Sequence, residues 1–247
     1  MGPIAGSRIF NRFPKARPRL PAAHQALFAE EYALNRDGAT LATRAAQSLE
    51  GWMHRRIAAR GRAGDHVLEL GAGTLNHVAY ETGAAAYDAI EPRTFLYEDR
   101  PARRAVRRLV SRLDDLPADA RYARILSIAV LEHMTDLPRD VGLAVRHLED
   151  DGLFQAGVPC EGCLLWGVAW RLSTGLAFRL RTGLSYAPLM RHEHVNRFNE
   201  ILAVLEYLFA RVMVRFFPLP TRHLAFYAYL ECSAPRRDRA QALVEGA

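Results

Sequence analysis

The stretch Val67 to Leu75 reads V-L-E-L-G-A-G-T-L. An apolar strand running into a glycine turn, with a helix expected over 75–84, places free backbone N–H groups around a bound ligand. Gly71 and Gly73 let the backbone approach that ligand closely. Glu91 ends the next apolar run, 20 residues beyond Gly71. That is the offset at which an acid takes the hydroxyls of a ribose, so the ligand is expected to contain a nucleoside.

The turn departs from a dinucleotide site. Asn76 stands where the third glycine of G-x-G-x-x-G belongs, and Glu69 lies two residues before Gly71. A carboxylate aimed into the turn repels a pyrophosphate. It suits a ligand carrying an ammonium group and a sulfonium cation, such as S-adenosylmethionine (SAM).

Histidines supply the second chemistry. His133 follows Glu132 at the expected carboxyl end of a strand, the edge that lines the ligand crevice in open parallel sheets. A neutral imidazole there can take a proton from an attacking hydroxyl; alternatively it only shapes the pocket. His192 and His194 sit two apart in R-H-E-H and are candidates for acceptor contact or base. No metal is expected at them, and the lone C-x-x-C of Cys160 and Cys163 lacks a second ligand pair.

Alternating strands and helices must position these groups. Short apolar runs at 66–70, 86–91, 124–130 and 152–158 read as strands, with helices expected over 75–84, 95–109 and 139–148. This is the rhythm of βαβ units and a parallel sheet. Two last runs, Val212 to Phe217 and Leu224 to Glu231, are expected to pair antiparallel after a helix from Glu200 to Phe209 capped by Asn199. Residues 1–22, with four prolines, read as an extended arm. Ala23 to Ala59 read as helical, with Leu27, Tyr32, Leu41, Ala45, Leu49 and Trp52 in phase and a break at Asn35 to Gly38. The tail from Ala234 reads as charged and frayed.

The chain resembles the class I SAM-dependent methyltransferases, whose signature is a strand ending in E-x-G-x-G. The likeness continues in S-I-A-V-L-E-H-M-T-D-L-P (127–138), H-L-E-D-D-G-L-F-Q-A-G-V-P (147–159) and E-H-V-N-R-F-N (193–199). It covers about residues 64–232 and leaves out 1–60 and the 160–192 insertion. It implies a Rossmann-like α/β fold with a seven-stranded, mostly parallel sheet and the last strand antiparallel. A helical N-terminal cap (1–60) and a helical insertion (160–192) are added to the domain at 61–235, with a tail at 236–247. The cofactor contacts implied are Glu69, Gly71, Ala72, Gly73, Glu91, Pro92, Val130 and Leu131, with Asp114 or Asp115 as the acid for the adenine amino group. Leu75 replaces the family's third glycine, and Arg124 replaces an aspartate before the fourth strand.

Composition narrows the rest. The 247 residues are 50% hydrophobic and 24% charged, proportions of a globular chain and not of a disordered one. Three cysteines exclude a disulfide framework and favour a reducing, cytoplasmic setting. The start shows no signal-peptide pattern, and no apolar run of spanning length exists. A net charge of +6, almost all arginine, suits an anionic partner. Arg100, Arg103, Arg104, Arg107, Arg108 and Arg112 read as the basic face of a helix, most simply its solvated face. Without interleaved aromatics no nucleic acid is expected.

Trp166, Trp170, Phe178 and Tyr186, with Arg171, Arg179 and Arg181, read as a substrate lid, a homodimer contact or an interfacial helix. The expectation is methylation of an oxygen on an anionic small molecule or saccharide, as in polysaccharide or natural-product pathways. The alternatives are a SAM-binding scaffold without turnover and a nicotinamide oxidoreductase.

Overall fold

The computed structural model describes residues 7–27 and 51–246. Among them a seven-stranded sheet has the order β3-β2-β1-β4-β5-β7-β6. Its strands are β1 (His66–Leu70), β2 (Ala86–Ile90), β3 (Arg108–Val110), β4 (Tyr122–Ile128), β5 (Leu148–Pro159), β6 (Phe209–Pro218) and β7 (Ala225–Pro235). β1 to β5 pair in parallel, and β7 runs antiparallel to both neighbours. This is the expected sheet. The central strands are buried on both faces, which explains why they are mostly apolar, with Glu69, Asp88 and Arg124 as buried exceptions.

The helices are α1 (Ser7–Phe10), helical residues 22–27 (α2) and 51–58 (α3), α4 (Leu137–His147), α5 (Leu164–Leu172), α6 (Thr174–Thr182), α7 (Ala187–Glu193), α8 (Phe198–Leu208) and α9 (Arg237–Glu245). On one face Leu68, Leu70, Ile125 and Phe154 pack against α4 and α8. On the other, Val67, Tyr87, Ala89 and Leu126 pack against Ile57 of α3. Tyr32, Leu41, Ala45, Leu49 and the expected break at Asn35 to Gly38 lie outside the described residues.

Several expectations change. No α-helix follows the glycine turn. Residues 75–84 form turns and one 3-10 turn, Val78–Tyr80. Leu75 sits at φ 61, a left-handed conformation that cannot continue a helix. The expected basic helix is instead two 3-10 turns, Thr94–Leu96 and Pro101–Ala105, followed by β3. Asp88, fully buried on β2, explains this: it accepts from Arg107 Nε at 2.9 Å, the Arg108 N–H at 3.1 Å and Tyr122 Oη at 2.8 Å. Arg107 and Arg108 tie a strand to the sheet edge, and the six arginines do not form one helix face. The α8 N-cap is Arg197, whose N–H is taken by Glu200; Asn199 accepts from Arg222 instead. The tail is ordered, because α9 packs on α4 where Gly142 leaves room for Ala240 and Val244.

Candidate active site

The glycine turn is stitched to the end of β2. The Ala72 N–H donates to Ile90 O at 3.1 Å, and the Gly73 N–H donates to Glu91 Oε2 at 2.9 Å. Glu91 Oε1 accepts the Arg93 N–H at 3.0 Å. Each carboxylate oxygen keeps a second lone pair for a ligand hydroxyl. Gly71 has φ 65, and a Cβ there would lie 2.6 Å from both Val130 methyls. Val130, at the end of β4, therefore needs a glycine opposite it.

These residues open on a cavity of about 700 Å³ lined by Glu69, Gly71, Ala72, Gly73, Glu91, Pro92, Asp114 and Val130. Leu131 is fully buried in the core and is absent from the cavity wall, because its side chain, at the start of the 3-10 turn Leu131–His133, packs into the main core. Asp115 spends its carboxylate on the Arg112 N–H at 3.0 Å, which leaves Asp114 as the acid on the cavity.

Glu69 is buried and accepts a 2.6 Å hydrogen bond from Tyr87 Oη. Burial pushes its pKa up to about 7, against the opposing pull of His77 and the Tyr87 bond. A cation entering the cavity would restore the carboxylate.

Two of the three expected histidines, His133 and His194, line the same cavity. His133 Nδ1 lies 2.8 Å from Glu193 O. A carbonyl only accepts, so Nδ1 carries the proton and the neutral ring's lone pair is on Nε2. Glu132 Oε1 is 3.8 Å from that Nε2. His194 meets His133 edge to face, with centroids 4.8 Å apart. Its Nδ1 is 2.6 Å from Glu161 Oε1, which also accepts Trp166 Nε1 at 2.8 Å. Burial disfavours the His194 cation, but Glu161, Glu132 and Glu193 outweigh it and raise the pKa. His192 does not join them. It turns to the N-terminal arm, with Nδ1 2.8 Å from Pro18 O, since α7 ends between the two histidines.

Several site residues were not singled out by the sequence, although Asn196 lies in the E-H-V-N-R-F-N segment. Arg17, in the arm, donates to His133 O (2.7 Å), His192 O (2.8 Å) and Glu193 O (3.1 Å). Asn196 donates through Nδ2 to Leu131 O and Met134 O at 2.8 and 2.6 Å. Together they hold the L-E-H turn against the H-V-N segment. His54 and His77 also line the cavity, their Nδ1 atoms 3.0 Å apart. His77 continues to Glu81 at 3.0 Å, and Glu81 to Arg124 at 2.7 Å. Burial lowers the His54 pKa to about 4, assisted by His77 and Arg55.

Of the expected lid, Trp166, Trp170 and Tyr186 line the cavity, whereas Phe178 is buried beside Leu20 and Leu189. Arg179 and Arg181 are exposed and are not on its wall. Trp166, Trp170 and His194 separate it from a second cavity of about 830 Å³, where Arg12, Lys15, Arg171, Arg191 and Arg197 gather. Cys160 and Cys163 are buried free thiols. Among the described residues no His, Cys, Asp and Glu cluster has metal-binding geometry, and no helix is long and apolar enough to cross a membrane.

No protein-family model matches the chain, and no curated protein matches it. Solved structures do. A SAM-dependent methyltransferase from Thermotoga maritima superposes with TM-score 0.56 at 12% identity, covering 86% of this chain and 98% of its own. The plantazolicin methyltransferase BpumL, in complex with SAH, gives 0.53 at 11% identity over 86% and 94%. A structure of the Haloferax volcanii Trm112 methyltransferase activator with its methyltransferase gives 0.52 at 16% identity over 83% and 97%. The sheet order, the glycine turn at the end of β1 and these superpositions agree: the chain has the fold of the class I SAM-dependent methyltransferases.

Proposed function

We propose that the protein is a SAM-dependent methyltransferase acting on an oxygen of a hydroxylated small molecule or saccharide. One observation carries this reading: Glu69, Gly71, Gly73 and Glu91 line the same cavity as His133 and His194. The residues fit the cofactor. Glu69 offers a buried carboxylate to its ammonium group, Glu91 offers lone pairs to the ribose hydroxyls, and Asp114 offers an acceptor to the adenine amino group. The side-chain-free edges of Gly71 and Gly73 leave room for the ligand's body.

SAM, when bound, supplies a methyl group on a sulfonium, whose displacement by an oxygen nucleophile gives a methyl ether and S-adenosylhomocysteine. His133 Nε2 receives the hydroxyl proton. Glu132, 3.8 Å away, stabilises the imidazolium that results. His194, biased toward its cation by Glu161, and the arginine-lined second cavity suit an anionic acceptor. Trp166 and Trp170 give a sugar or ring an apolar face and exclude water. Alignment of acceptor and methyl supplies most of the rate.

A thermal-shift comparison tests the reading. SAM and S-adenosylhomocysteine are expected to stabilise the protein by about 2.7 kcal/mol at a hundredfold excess over Kd, and NADH is expected to do nothing. Absence of any shift at millimolar SAM would overturn it.

A further inference from the structure

Helices α5 and α6 turn five apolar side chains to solvent: Leu164 (64% exposed), Val168 (43%), Leu172 (69%), Leu176 (46%) and Leu180 (79%). A spacing of four residues sets the first three in one row along α5 and the last two in one row along α6. The two helices pack against each other. Their other sides are already used: Trp166, Trp170 and Thr174 line the cavity, and Phe178 is buried. Single exposed leucines are ordinary, but rows of them on one insertion mark a contact surface.

Charge says what kind. From Gly162 to His192 the chain has four arginines, 171, 179, 181 and 191, and no Asp, Glu or Lys. All four arginines are exposed. A second copy in two-fold contact would set this acid-free segment against itself, with no carboxylate in it to pair. An anionic lipid surface supplies phosphates to the arginines and acyl chains to the leucines.

We propose that the α5–α6 hairpin lies on the surface of an anionic lipid bilayer. The leucine rows sit at the boundary of headgroups and acyl chains, and Arg179 and Arg181, which line neither cavity, meet the phosphates. Each helix has nine residues, about 14 Å, which is too short to span and suited to lying flat. The same hairpin separates the bilayer from the cavity. On the methyl-transfer reading, and only on it, the acceptor is then a hydroxylated headgroup or saccharide carried by a lipid.

Co-sedimentation of the full chain with vesicles tests the surface. The wild type is expected to pellet with mixed phosphatidylcholine and phosphatidylglycerol vesicles and about tenfold less with phosphatidylcholine alone. Leu172→Gln/Leu176→Gln/Leu180→Gln is expected to lower partitioning by at least about tenfold, while Leu180→Gln alone gives a smaller loss in the same direction. A circular dichroism melt on both variants checks that the fold is kept. Pelleting of both variants equal to wild type, or wild type remaining in the supernatant, overturns the proposal. A dimer that dissociates in the triple variant, without vesicle binding by the wild type, also overturns it and assigns the face to a second copy. SAM binding, measured without vesicles, reports on the cavity separately, so failure of the two readings is distinguishable.

Discussion

Gly73 donates its backbone N–H to Glu91 Oε2 at 2.9 Å, so the glycine turn and the acid at the end of β2 are one unit. Glu91→Ala removes the acceptor of two backbone donors as well as the expected ribose ligand. SAM affinity is expected to fall by about 1–3 kcal/mol, with a lower melting temperature in the ligand-free protein. Calorimetry and a thermal melt read the two losses; a variant that melts normally would show the turn to be independent of Glu91.

Gly71 faces Val130 so closely that Gly71→Ala meets two obstacles, the left-handed φ and the Val130 methyls. Together they are expected to cost about 2–4 kcal/mol of stability. In a Val130→Ala background the same substitution should cost less, because the two methyl clashes are gone and only the φ penalty and a 3.1 Å approach to the residue-130 Cβ remain. Urea titrations of the four-member cycle measure the difference.

The pH dependence of SAM binding follows from Glu69. Burial holds its pKa at about 7, and an ammonium group needs the ionised form. Below that pH a proton must leave before the cation is held. Affinity is expected to rise about tenfold per unit up to about pH 7 and to level off above it. Glu69→Gln should flatten the profile. Tyr87→Phe should move the bend to higher pH, since the Tyr87 hydroxyl favours the carboxylate. Calorimetric titrations on both sides of pH 7 check all three proteins.

For the histidines, His133→Ala is expected to lower kcat by about 10²–10⁴-fold with SAM affinity nearly intact, and His192→Ala to stay within about threefold of wild type. Glu161→Gln should lower the His194 pKa, because the hydrogen bond that favours the cation loses its charge. Imidazole chemical shifts follow that change without any acceptor. A His133 variant that loses SAM affinity first would make the residue part of the cofactor pocket.

What the sequence revealed, and what it hid, has a common cause. β1, β2, β4 and β5 are legible because they are buried on both faces and mostly apolar, each interrupted by a buried polar residue that finds a partner, Glu69, Asp88, Arg124 and Gln155. β3 is not, because it has three residues, and Arg108 in it and Arg107 just before it serve Asp88 on the neighbouring strand. Glu69, Gly71, Gly73 and Glu91 are legible because they are close in sequence and their types are fixed by ligand chemistry. His54 and His77 are hidden because each reads as an ordinary helix residue until the fold brings them together. Arg124 stood out as a departure, and its meaning lies in Glu81, Gln155 and Ile57 O, all distant in the chain. Removing its charge would leave Glu81 buried beside a neutral side chain.

The grip of Arg17 on the carbonyls of His133, His192 and Glu193 also sets a schedule for synthesis. Arg17 and His192 are 175 positions apart, so the arm leaves the ribosome well before the segment it must clasp. At about 5–20 residues per second the wait is roughly 10–35 s. Through that interval β1 to β5 can pair while the histidine wall cannot, and β6 and β7, which follow His192 in the chain, extend the sheet only afterwards.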